Sequence, residues 1–326
     1  MLHFPSNTGN HPATLAAAER SLGHQVDVVC VEENPYYDGQ GVQSLHLENT
    51  STLRRWWKRV LYARQVVDNY DVFHFNKGET FLPGSLPFVV DLWWLRRRGK
   101  KVIVTFQGSD ARPHVQGAPT TRRVPVRVAN WIRRARIRQI KRWADRMWVL
   151  NPDLLEHVEG AEFLPYASVD THDLVPTDMA EHRDVLRIVH APTNRAVKGT
   201  AAIERAVQEA ARDLPIELRI IEGTTREDVL NAIRGAHLVI DQVVLGWYGG
   251  LAVEAMALGR PVIAHISGDV DDEDFPIINA DGDSLAQVLV DTAQRDLAEL
   301  GAQARVWVER HHDPRAVAQR TTIDYR

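Results

Sequence analysis

Two short segments of this chain gather the side chains that chemistry on a phosphate needs. The first, His190-Ala-Pro-Thr-Asn-Arg-Ala-Val-Lys-Gly199, puts Arg195 and Lys198 between an apolar run at Leu186–His190 and a helical run from Thr200 to Arg212. A strand that hands over to a helix offers free backbone N–H groups, and two cations beside them make a place for a sugar diphosphate. The second, Gly246-Trp-Tyr-Gly-Gly-Leu-Ala-Val-Glu254-Ala-Met-Ala-Leu-Gly-Arg-Pro-Val, carries a glycine loop at Tyr248, Gly249 and Gly250. Missing side chains there let backbone amides approach phosphate and sugar oxygens. Asp241, at the end of the apolar run before this loop, is a candidate for sugar hydroxyls; a buried structural carboxylate is the alternative reading.

The elements that must position these groups follow from the alternation of apolar runs. Strand-type runs at Leu2–Pro5, Gln25–Glu32, Asp71–Phe75, Lys101–Phe106 and Met147–Leu150 alternate with helical runs at His11–Leu22, Ser51–Tyr70, Leu86–Arg98 and Val124–Arg146. The second half repeats the pattern, with strands at Leu186–His190, Ile216–Ile221, Leu238–Gln242 and Pro261–Ile266. Its helices are expected at Thr200–Arg212, Arg226–Arg234, Gly250–Leu258 and Ser284–Glu299. Such alternation predicts α/β architecture with parallel sheets. The 326 residues exceed one ordinary core, so two doubly wound domains are expected, divided near the proline-bounded stretch Leu164–Pro176. The expected organisation is an N-terminal domain over 1–168, a C-terminal domain over 169–305 and a terminal helix over 306–326.

Charge is uneven along the chain. Through Asp170 there are 23 Lys and Arg against 17 Asp and Glu, leaving 16 against 26 for the rest, while the net charge is −4. The basic excess lies in Arg54-Arg55-Trp56-Trp57-Lys58-Arg59, in Trp93-Trp94-Leu95-Arg96-Arg97-Arg98 with Lys100 and Lys101, and in the stretch Arg122–Arg146. Patches of this kind suit an anionic surface, whether membrane headgroups, a lipid phosphate or nucleic acid. Solvated helix faces whose tryptophans pack inward are the other reading. No run is long and apolar enough to span a membrane and no signal peptide is evident, so a cytoplasmic location is expected. The single cysteine, Cys30, sits in an apolar run and reads as a buried strand residue.

The two segments quoted above resemble the donor-binding half of family-four glycosyltransferases, retaining enzymes of the two-Rossmann-domain GT-B architecture. Weaker matches lie at Asp71-Val-Phe-His-Phe-Asn-Lys-Gly and Val102-Ile-Val-Thr-Phe-Gln-Gly-Ser-Asp-Ala-Arg112. The resemblance implies two domains facing a cleft, with the terminal helix crossing back to the N-terminal domain. It implies transfer of a sugar from a nucleotide-diphosphate donor to an acceptor hydroxyl with retention, needing no metal or other cofactor. Arg195 and Lys198 match the family's basic pair on the donor diphosphate, and Glu254 matches the acid that receives the ribose hydroxyls. Thr193, Asn194, Tyr248, Gly249, Gly250 and Leu251, with Gly9 and Asn10 of the first loop, are the implied donor contacts. His74, Gln107, Asp110 and Asp241 are candidates on the acceptor or sugar side. The resemblance implies a nucleotide-sugar partner, while the basic, tryptophan-rich patches favour an acceptor that is lipid-linked or membrane-proximal, a secondary metabolite or a protein side chain also fitting, with no nucleic acid and with peripheral attachment at the inner membrane face.

Departures from the family pattern are specific. Gly246 stands where the family carries the first glutamate of its Glu-x7-Glu motif, and Gln107 stands where many members carry a histidine. Gln107 exchanges hydrogen bonds but cannot shuttle a proton. Asp269-Val-Asp271 and Asp281-Gly-Asp283 have the spacing of a metal-binding pair but read as solvated loop acids, and His311-His312 reads as a helix break. Two alternatives stay open at this point: a noncatalytic protein that binds an anionic polymer or nucleotide sugar, and a dinucleotide-dependent oxidoreductase. Against the second, no Gly-x-Gly-x-x-Gly follows the first strand.

Overall fold

The computed structural model describes residues 1–33, 41–113, 125–179 and 185–325. They form two compact units, one of Met1–Ala167 with Pro314–Arg326 and the other of Ser168–Asp313.

Unit 1 is built on seven strands, β1 (Leu2–Phe4), β2 (Asp27–Cys30), β3 (Val42–Ser44), β4 (Val72–Asn76), β5 (Lys101–Phe106), β6 (Arg146–Val149) and β7 (Glu162–Phe163). They lie in the order β3-β2-β1-β4-β5-β6-β7 and every pairing is parallel. The connecting helices are α1 (His11–Ser21), α2 (Thr52–Val66), α3 (Val90–Arg97) and α4 (Val126–Trp143). Alternate strand residues point to opposite faces, and this decides which helix covers which side. Phe73 and Phe75 pack with Ala63 and Val66 of α2, Leu92 and Leu95 of α3, and Ile137 and Ile140 of α4. Val72 and Ile103 turn the other way, onto Leu15 and Ala18 of α1. Cys30 is buried in β2, and burial pushes its thiol up to about 12.

Unit 2 has five parallel strands, β8 (Leu186–His190), β9 (Ile216–Ile220), β10 (Leu238–Gln242), β11 (Val262–Ala264) and β12 (Ile278–Asn279), in the order β12-β11-β10-β8-β9. Its helices are α5 (Arg195–Lys198), α6 (Thr200–Ala210), α7 (Arg226–Arg234), α8 (Gly250–Ala257), α9 (Leu285–Ala293) and α10 (Leu297–His311). The strand order reverses between β8 and β10. In open parallel sheets the loops at such a reversal part, leaving a crevice at the carboxyl ends of the strands.

The last helix, α11 (Pro314–Thr322), belongs to unit 1, where it packs on α1. Buried Glu19 ties it down: its carboxylate accepts from Thr321 Oγ1 at 3.1 Å and Tyr325 Oη at 2.6 Å, and meets His3 Nε2 at 2.8 Å. The segment that joins unit 1 starts at Pro314 and not at 306, because α10 runs unbroken to His311 within unit 2 and a proline cannot continue it. The helix expected over Ser284–Glu299 is two helices. Asp296 accepts from the amides of Ala298 and Glu299 and so starts α10 afresh. Strands β3, β7 and β12, of two or three residues, were not foreseen, since each holds a single apolar residue.

Candidate functional site

The strand-order reversal of unit 2 is where Lys198 and Asp241 meet. His190, at the end of β8, is buried; its Nδ1 lies 2.8 Å from the Ile240 carbonyl and its Nε2 2.9 Å from Thr200 Oγ1. A carbonyl only accepts, so Nδ1 carries the proton and the Thr200 hydroxyl donates to Nε2. One neutral ring thus pins β8, β10 and the start of α6, and burial lowers its pKa. Between them Gly199 adopts φ +76°, and a Cβ there would lie 2.7 Å from Val243 and 2.8 Å from Val244. The tight turn sets Lys198 over the end of β10. Lys198 Nζ donates to Asp241 Oδ1 at 2.6 Å, and the Gly249 amide donates to Asp241 Oδ2 at 2.5 Å.

Glu254 sits one turn into α8 and is buried, because Ala252, Val253, Ala255 and Met256 bury every face of this helix. Arg226 Nε donates to its Oε1 at 2.7 Å. Arg226 is placed by the capping box that opens α7, in which Thr225 and Asp228 exchange side chain and backbone hydrogen bonds. Burial raises the Glu254 carboxyl above the usual range, opposed by Arg226 and assisted by the charge of Asp241. Lys198, Asp241, Glu254 and Arg226 thereby form two ion pairs, Lys198 with Asp241 and Arg226 with Glu254, whose carboxylates repel each other. Arg195 is more exposed; its guanidinium forms a two-point pair with Glu222 at 2.7–3.0 Å and reaches Glu204 at 3.5 Å. Water screens such a surface pair, so an incoming anion can compete for Arg195 at small cost.

The loop between β10 and α8 is shaped by Gln242, which the sequence reading did not single out. Its Nε2 donates to the carbonyls of Leu245, Trp247 and His265, and its Oε1 accepts from the Val244 amide at 2.8 Å. An amide adjoining Asp241 at a strand end was the available signal. Asn194 caps α5 by accepting from Val197 N, while Thr193 is exposed beside it. Gly249, Gly250 and Leu251 open α8, whose first amides have no intrahelical acceptor. Tyr248 departs from expectation. Its side chain is buried among Trp247, Phe275 and Trp307, with its hydroxyl 2.8 Å from His312 Nε2, so only its backbone is available to a ligand. His312 accordingly serves this packing, not a helix break alone.

In unit 1 the candidates scatter. His74 does not stand at an open strand end: it is fully buried, 2.7 Å from Thr105 Oγ1 and with its ring centroid 4.6 Å from that of His3 at a tilt of 33°, and burial lowers its pKa well below the usual value. His3, Glu19 and His74 lie close enough to hold an ion, but His3 and both Glu19 oxygens are engaged in hydrogen bonds. The Asn10 amide is spent on a local turn with Asn7 and Thr14, beside Gly9 at φ +62°. Asp110 closes the turn after β5 by accepting from the amides of Gln107 and Gly108, and burial raises its pKa. The Gln107 side-chain amide has no partner among the described residues although both its polar atoms are buried.

The model of the glycosyl transferase 4-like domain matches residues 8–171, half of the chain. It falls on the first half, whereas the motifs that carried the resemblance lie mostly in the second. Among solved structures, the chain is similar to sucrose-phosphate synthase from Thermosynechococcus elongatus, at 15% identity and TM-score 0.67, covering 99% of this chain and 97% of that one. It is similar to WaaG, a glycosyltransferase involved in lipopolysaccharide biosynthesis, at 13% identity and TM-score 0.61, covering 99% and 97%. An α-glucosyltransferase in complex with UDP and a 13-mer DNA matches at 11% identity and TM-score 0.59, covering 99% and 98%. No curated protein matches the sequence.

Proposed function

The chain belongs to the glycosyl transferase 4-like family and is a glycosyltransferase of GT-B fold, and from that premise we propose that it moves a sugar from a nucleotide-diphosphate donor held by unit 2 to an acceptor hydroxyl, with retention and without a metal. The observation that carries this reading is the Lys198–Asp241–Gly249 contact at the reversal of the strand order. Lys198 is held there by a carboxylate that also fixes the loop leading into α8. A diphosphate at this point meets a positioned cation, the exposed Arg195 and the first amides of α8. As the glycosidic bond breaks, negative charge grows on the leaving oxygen, and fixed donors stabilise it without reorganisation. Glu254, oriented by Arg226, accepts hydrogen bonds from the ribose hydroxyls.

In this account the protein contributes orientation and cations. The acceptor oxygen attacks from the side on which the diphosphate departs, and its proton passes to the departing phosphate oxygen, so no enzymic nucleophile is required. Gly246 leaves no acid at the place of the family's first glutamate; Asp241, eight positions before Gly249, is the carboxylate that organises this loop instead. The acceptor is lipid-linked or membrane-proximal and the protein is attached peripherally. Among the described residues no helix is long and apolar enough to cross a membrane. The complexes of similar proteins support the donor class: TarM of S. aureus was solved with UDP, as was the α-glucosyltransferase. With the family established, the oxidoreductase and noncatalytic alternatives are set aside.

The test is incubation with a panel of nucleotide sugars, reading the released nucleotide by mass spectrometry with and without a chelator, and reading the anomeric configuration of the product by NMR. Release from one donor class, unchanged by chelator and with configuration retained, is the expected result. Inversion, or activity abolished by chelator and restored by a divalent cation, contradicts it.

A further inference from the structure

Three helices of unit 1 carry a surface that sugar transfer by unit 2 does not use. Helices α2, α3 and α4 cover the same face of the sheet, so their outer sides turn the same way. Together they carry fourteen Arg and Lys against one acid, Asp91, and Asp91 is buried. Two of the fourteen, Arg59 and Arg136, are buried as well, where they hold carbonyls of the segment 78–88. Arg55 and Arg133 are half-buried, Arg55 against the Leu47 carbonyl and Arg133 with its Nε enclosed, and the other ten are exposed. Arg54, Lys58, Arg127, Arg134 and Arg138 are exposed and form no ion pair among the described residues. Helix faces that merely solvate a protein mix both signs of charge, which lowers self-repulsion; these do not.

Apolar side chains stand among those cations instead of under them. On α2, Leu53, Trp57 and Leu61 recur every fourth residue and are 72%, 59% and 50% exposed, a stripe along the outside of the helix. Val90 and Trp93 of α3 repeat this at a spacing of three, 57% and 41% exposed, with Arg97 stacked on the Trp93 ring. Val128 and Trp131 of α4 do so again, at 44% and 54%. The tryptophans were open to an inward-packing explanation from sequence; Trp57, Trp93 and Trp131 do not pack inward.

We infer that the outer face of α2, α3 and α4 docks on an anionic lipid bilayer, with Leu53, Trp57, Leu61, Val90, Trp93, Val128 and Trp131 entering the headgroup boundary and the exposed Arg and Lys pairing with lipid phosphates. Cations alone would fit any polyanion. Leucine and valine exposed at helical spacing gain nothing from a nucleic acid or a soluble polysaccharide, but they gain hydrophobic transfer at an acyl boundary, and tryptophan favours that depth. Basic residues near an anionic leaflet add attraction that salt weakens. The inference deepens the lipid-linked acceptor proposed above, since it gives unit 1 a reason to sit at the surface that presents such an acceptor.

Flotation of the full-length protein with vesicles tests it apart from catalysis. Binding is expected to vesicles of phosphatidylcholine with phosphatidylglycerol, to be at least tenfold weaker with phosphatidylcholine alone, and to be lost at high salt. Replacing the apolar stripe (Trp57→Ala with Leu61→Ala) and, separately, its cations (Arg54→Ala with Lys58→Ala) should each weaken binding, while circular dichroism and the thermal shift given by a nucleoside diphosphate stay as in the parent. Equal binding to both vesicle types, no binding to either, or binding to a DNA oligonucleotide that the apolar variant leaves intact would overturn the inference. None of these outcomes depends on whether unit 2 transfers a sugar, so the docking claim and the transferase mechanism stand or fall separately.

Discussion

Lys198 Nζ and Asp241 Oδ1 are 2.6 Å apart at the point where the strand order of unit 2 reverses, and the same carboxylate receives the Gly249 amide. This pair links the cationic turn to the glycine loop. It also means that Lys198 is already oriented before any anion arrives. Replacing Lys198 by Ala removes a donor to the leaving group, a loss of about 10²- to 10³-fold in kcat on the scale of single oxyanion donors. Asp241 keeps the Gly249 amide, so the fold persists. Transfer assays and circular dichroism on Lys198→Ala check this, and near-parental turnover speaks against the site.

Glu254 and Arg226 should act on donor binding more than on the chemical step. Glu254→Gln weakens the hydrogen bonds to ribose, and Arg226→Ala frees the carboxylate that it orients. Both are expected to raise the donor KM about tenfold with kcat changed far less, the pattern of lost uniform binding. A fall in kcat with unchanged KM in either variant would place Glu254 at the reacting centre instead.

Gly199→Ala puts a side chain at φ +76° and drives a Cβ to 2.7 Å from Val243. The cost is strain of about 1–3 kcal/mol, and relaxing it must move Lys198 away from Asp241. Stability in urea and affinity for a nucleoside diphosphate should therefore fall together. Loss of one without the other would separate the turn from the cation.

Much of the fold was legible because its signals repeat. Alternating apolar runs gave both parallel sheets, and the helix expected at Arg226–Arg234 has those limits in the structure. Pairings over long separations were not legible. Arg226 is 28 residues from Glu254, and Lys198 is 43 from Asp241, distances that only the sheet order closes. Tyr248 and His74 misled for a related reason: an aromatic or imidazole ring near a loop serves equally as core or as contact, and the neighbours that decide come from β1, β5, α10 and the loops of unit 2.

Acid should destabilise the protein through its buried imidazoles. Burial lowers the pKa of His74 and His190 below the value of about 6.5 that they have when unfolded. Above that pH both states are neutral and stability is complete; below it the unfolded chain takes up protons that the folded chain refuses. Each ring then costs about 1.4 kcal/mol per pH unit until its folded pKa is reached. Urea midpoints between pH 8 and pH 5, taken on the parent and on His74→Gln, should show a shallower acid slope in the variant. An identical slope would mean that His74 is not held neutral.

The most direct measurement is calorimetry of nucleoside diphosphates against their parent nucleosides, with uridine, guanosine and adenosine forms, on the parent protein and on Arg195→Ala with Lys198→Ala. The account predicts that one diphosphate binds the parent at least about 100-fold, or roughly 2.7 kcal/mol, more tightly than its nucleoside, and that this preference disappears in the double variant while nucleoside binding remains. A preference that survives the loss of both cations, or the absence of binding by every diphosphate, would contradict it.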